Sequence, residues 1–96
     1  MSEEEKQFGM NWIITTLRSF SDESDIQIED MEWVSYDFDR GSHSLLIRAN
    51  GKQEVEKFSH EDLTDCQNDK NVRLEIEGRL KKLIKSIVSR KNRIGF

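Results

Sequence analysis

From residue 70 to about 92, Val72, Ile76, Leu80, Leu83, Ile84, Ile87 and Val88 fall on one stripe of a helix, with Lys81, Lys82 and Lys85 opposite. A helix so patterned gains most of its stability by burying that stripe against another element. One candidate is a second helix over residues 4–20. There Phe8, Trp12, Ile13, Leu17 and Phe20 share a face, and Met10 and Ile14 widen it. Gly9 costs about 1 kcal/mol relative to Ala inside a helix, so its presence points to close packing. The loop Ser21–Asp25 follows.

The middle of the chain alternates in the manner of strands. In Glu32–Phe38, Val34, Tyr36 and Phe38 share one face, and Met31 and Trp33 fall on the other. Asp39-Arg40-Gly41-Ser42 reads as a turn. His43–Ala49 is the second strand, with Leu45 and Ile47 on the Tyr36 and Val34 side if Phe38 pairs with His43. Asn50-Gly51 is a hairpin signal, because both residues tolerate positive φ. Lys52–Phe58 is the third strand. Its register stays open: a three-residue loop puts Val55 on the Leu45 and Ile47 side, a two-residue loop puts Phe58 there. Ser59 is placed to cap a short helical turn anchored by Leu63, and Asp69 to cap the last helix.

The expected fold is α+β. A three-stranded antiparallel β-meander has an N-terminal and a C-terminal helix packed on one face, in the order α-β-β-β-short α-α. Residues 1–96 make a single domain, with flexible ends expected over 1–4 and 93–96. Charged residues reach 35 % and apolar ones only 34 %, a balance that approaches disorder; the periodic placement of the apolar residues argues for a folded chain. Cys66 is the only cysteine, which fits a reducing compartment. The acidic opening Met1-Ser2-Glu3-Glu4-Glu5 lacks the features of a signal peptide, and no apolar run spans a bilayer. The cytoplasm is the expected location, with no membrane partner.

Charge is unevenly distributed. Residues 79–96 carry seven bases and no acid, whereas the preceding chain carries eight bases and nineteen acids, a net −11. Lys81, Lys82 and Lys85 are therefore candidate phosphate contacts. The competing explanation is ordinary helix electrostatics: Glu75–Arg79 and Glu77–Lys81 are i, i+4 pairs in the favourable order, with acids early and bases late.

The α-β-β-β-α order is similar to the topology of double-stranded RNA-binding domains, and Gly41-Ser42-His43 falls where that family carries a Gly-Pro-x-His loop. The Pro is absent here, and the lysines lie mid-helix instead of at the helix start. The resemblance covers topology over most of the chain and implies RNA-type binding as the alternative function.

Nothing in the chain forms a distinctive catalytic or metal-binding pattern. Asp37-Phe38-Asp39-Arg40-Gly41 resembles the start of a calcium loop without its later ligands, and turn formation explains it. Cys66 with His43 or His60 makes an imaginable nucleophile and base, but one Cys and two His select nothing. Cys66 suits a small core group beside Leu63, and His60 a solvated helix start. The expectation is a non-enzyme without cofactor or metal. Met10, Ile14, Trp33 and Leu46 are apolar residues left over for an outer surface and are the candidate protein interface, for a partner or a second copy as a homodimer. Gly78, on the polar side of the last helix, suggests close approach by something there.

Overall fold

The computed structural model describes residues 2–37, 40–49 and 51–93. The chain forms α1 (Ser2–Glu23), β1 (Ile28–Asp37), β2 (Ser42–Ala49), β3 (Lys52–Ser59), α2 (His60–Asp65) and α3 (Lys70–Arg93). The strands form one antiparallel sheet in the order β1-β2-β3. Ala49 pairs with Lys52, so the hairpin connection is the two residues Asn50-Gly51. Gly51 has φ +74°, a value L side chains rarely adopt. This register sets Phe58 opposite His43 and beside Leu45 and Ile47 on one face, and sends Val55 to the other with Leu46.

Both long helices cover the Leu45, Ile47 and Phe58 face. Ile13 and Leu17 of α1 and Ile76, Leu80, Ile84 and Ile87 of α3 join these residues in one buried cluster. On the other face Leu46 is half-buried and Val55 is exposed.

β1 departs from simple alternation twice. Met31 pairs with Ile47 and Trp33 with Leu45, whereas Ser35 pairs with Ser44 and Tyr36 with His43. The register shifts between Ile28 and Asp30 and between Trp33 and Ser35, so Glu29 and Val34 are the extra residues of two bulges. This corrects the alternation reading. Met31 and Trp33 face the helices, Val34 is exposed, and Tyr36 takes the place opposite His43 expected for Phe38, which lies outside the described residues. A regular strand would have carried Asp30 and Glu32 inward behind Ile28. Burying those carboxylates without partners is costly, while burying an indole removes far more apolar area from water than burying a valine.

Local signals fix the remaining elements. Ser59 Oγ accepts from Asp62 N at 3.0 Å to start α2. Asp69 Oδ1 accepts from Asn71 N (2.9 Å) and Val72 N (3.4 Å) at the start of α3. Arg73 closes the end of α2 by donating to the carbonyls of Cys66 and Gln67 at 2.8 and 2.9 Å. Arg79, expected to pair along its helix with Glu75, instead binds across to the sheet. It pairs with Glu56 at 2.6 Å, donates to the Lys57 carbonyl and lies 4.5 Å from the centre of the Phe58 ring.

The two helical glycines differ in kind. A Cβ on Gly9 would come within 2.3 Å of the Leu63 carbonyl oxygen, so α1 crosses α2 where only glycine fits. Around Gly78 nothing lies within 4 Å, and the close neighbour expected there is absent from the described residues. Gly9→Ala is accordingly expected to lower unfolding stability by about 1–3 kcal/mol, whereas Gly78→Ala should raise it by up to about 1 kcal/mol. Urea denaturation of the two variants checks both signs.

Candidate functional site

The second bulge and the start of α2 together build a groove. Because β1 slips at Val34, Trp33 and Tyr36 both turn toward the helices. Tyr36 packs on His43 with ring centres 4.3 Å apart. His60, the first residue of α2, donates its backbone N–H to the Gly41 carbonyl at 2.7 Å. This bond ties the helix start to the β1–β2 turn and sets the His60 ring beside His43. The ring centres are 5.4 Å apart, and His43 Nε2 lies 3.1 Å from His60 Nδ1. Gly9 against Leu63 holds α1 over the same corner and supplies Lys6 and Met10, one turn apart, as the opposite wall.

The result is a groove of about 480 Å³ lined by Lys6, Met10, Trp33, Val34, Ser35, Tyr36, His43 and His60. Val34 is 47 % exposed and Tyr36 36 %. Trp33 closes the inner end with its ring edge-on to Phe58, centres 5.8 Å apart. Its indole Nε1 is buried without a hydrogen-bond partner among the described residues, an omission that costs about 1–3 kcal/mol.

Of the interface residues chosen from sequence, Met10 and Trp33 meet in this groove, on the helix-covered side of the sheet. Ile14 is half-buried on α1 outside the groove, and Leu46 lies on the opposite sheet face. His43 and His60, weighed from sequence only as bases for Cys66, and Tyr36, read as a core-face residue, were not assigned to an interface. His60 is half-buried against His43, not solvated. The available signal was the Ser59 cap: a helix starting directly after β3 must bring its first residue back over the strand ends.

The three lysines follow α3 on its exposed side. Lys81 lies 5.4 Å from the centre of the Phe20 ring. Lys81 and Lys85 share a smaller depression of about 160 Å³ with Phe20, Glu23, Ser24 and Ile84. That arrangement packs lysine stems on an apolar ring beside an acid, as a solvated helix face does.

Cys66 and Leu63 are fully buried in the core. Burial pushes the Cys66 thiol above its ordinary pKa; Arg73 opposes the shift and Asp62 adds to it. A raised thiol pKa is the reverse of what a nucleophile needs. Phe38 and Asp39 of the calcium-like segment lie outside the described residues. Among the described residues, no helix is long and apolar enough to cross a membrane.

The thiol also sets a pH dependence. Its folded-state pKa is raised, so the native state keeps a proton the unfolded chain releases. Stability is therefore unaffected below the ordinary thiol pKa of about 8.5 and falls as pH rises beyond it. Denaturation midpoints measured across that range should decline more steeply for the wild type than for Cys66→Ala. Native Cys66 should also react with a thiol reagent only as fast as the domain opens.

No family model, curated protein or solved structure matches the chain.

Proposed function

We propose that the domain is a non-enzymatic protein-interaction module that holds a partner segment with an apolar or aromatic anchor in the groove between α1 and β1. The observation that carries this reading is the convergence of Met10, Trp33, Val34, Tyr36, His43 and His60 around one groove. Aromatic side chains and Met are enriched in protein interfaces. The outer sheet face offers little to a second copy. With Trp33 turned inward, the apolar residues there reduce to Leu46 and Val55 among the described residues. A partner other than the chain itself is therefore favoured over the homodimer. The lone, buried Cys66 suits a reducing compartment, and the proposal places the domain in the cytoplasm.

Val34 and Val55 are both exposed, one lining the groove and the other on the outer face. A photoreactive benzoylphenylalanine in place of Val34 should give a discrete adduct with another protein in cells, whereas the same residue in place of Val55 should not. Equal labelling from both positions, or none from Val34, contradicts the proposal. Polynucleotide retention that falls steeply with salt and is lost when Lys81, Lys82 and Lys85 are replaced would instead favour RNA-type binding.

A further inference from the structure

Two imidazoles from different elements converge in the groove, and their geometry suits more than a hydrogen bond. His43 stands on β2 with Tyr36 packed on its ring, and His60 is fixed at the start of α2 by the bond from its own N–H to Gly41. Their facing nitrogens, His43 Nε2 and His60 Nδ1, are 3.1 Å apart. Imidazole nitrogens bind Zn²⁺ at about 2.0–2.1 Å, so two of them on a tetrahedral ion stand roughly 3.3 Å apart. The observed separation is therefore within a few tenths of an ångström of the chelating one, and each ring must also turn by roughly 35° so that both lone pairs face one ion.

We propose that His43 Nε2 and His60 Nδ1 form a two-histidine chelate for a divalent transition-metal ion that favours imidazole, of the Zn²⁺, Ni²⁺ or Cu²⁺ type. The ion replaces the proton shared between the rings, and each neutral ring then carries its proton on its other nitrogen. Among the described residues, no group of three or more His, Cys, Asp or Glu is placed to hold a metal, so water or a donor from a bound partner completes the coordination. The groove has room for either. Lys6 in the groove wall opposes the ion, and the net charge of −4 on the chain favours it. This site does not depend on a partner occupying the groove.

The test uses the full, tag-free chain after chelator treatment, titrated calorimetrically with Zn²⁺ alone and followed by Trp fluorescence with Ni²⁺. One saturable site is expected, weakened by at least about tenfold in His60→Gln and, separately, in His43→Gln. His60 is only half-buried, and an unchanged circular dichroism spectrum confirms that its variant folds. If it does not fold, the wild-type imidazole ¹⁵N resonances decide: Zn²⁺ must shift His43 Nε2 and His60 Nδ1. Absence of saturable binding, binding that folded His60→Gln leaves unchanged, or Zn²⁺ that leaves both resonances in place overturns the proposal.

Discussion

β1 must deliver four large side chains, Ile28, Met31, Trp33 and Tyr36, to the helix-covered side of the sheet while keeping its carboxylates in water, and a regular strand cannot do both. Ile28, Asp30, Glu32 and Val34 share a parity, as do Met31 and Trp33. Bulges at Glu29 and Val34 resolve the conflict by changing phase twice. The rest of the corner follows from these two changes, the first turning Trp33 inward and the second Tyr36. Trp33 meets Phe58, Phe58 lies under Arg79 of α3, and Tyr36 meets His43. The same device blunts an exposed sheet edge, since bulges and the charges of Glu29, Asp30 and Glu32 discourage another strand from adding there.

A chain of this size has little core to spare, and its helices are tied down by specific contacts in addition to apolar burial. Gly9 lets α1 approach the Leu63 carbonyl, Arg73 closes α2, and Arg79 fastens α3 to β3. The groove lies beside the first of these, where α1 crosses α2, and His60 tied to Gly41 forms its other side. Its walls are therefore held in place while Val34 and Tyr36 remain exposed. The proposed recognition role rests on this apolar lining, because a partner that meets a preformed surface loses less entropy on ordering it.

Much of this was legible in the residues. The α3 stripe, the Asn50-Gly51 hairpin, the Ser59 and Asp69 caps and the tight packing at Gly9 all act locally, and local chemistry is what a sequence displays directly. The bulges were not legible. Alternation has a period of two, and one inserted residue reverses every later assignment without altering composition. Trp33 and Val34 were exchanged for that reason. The His43–His60 contact and the Arg79–Glu56 pair join residues distant in sequence. Both depend on how α2 folds back over the strand ends, and no nearby pattern reports that. Gly78 shows the opposite error, in which a real helix cost was assigned a packing cause that the described residues do not supply.

The phase of β1 can be measured directly by nuclear Overhauser contacts in solution. The bulged register requires contacts from the Trp33 indole to the Phe58 ring and Leu45 methyls, and from the Tyr36 ring to His43. Contacts from the Val34 methyls to Leu45, with the Trp33 indole against Leu46 and Val55, would show a regular strand. They would remove both the groove and the histidine corner built on it.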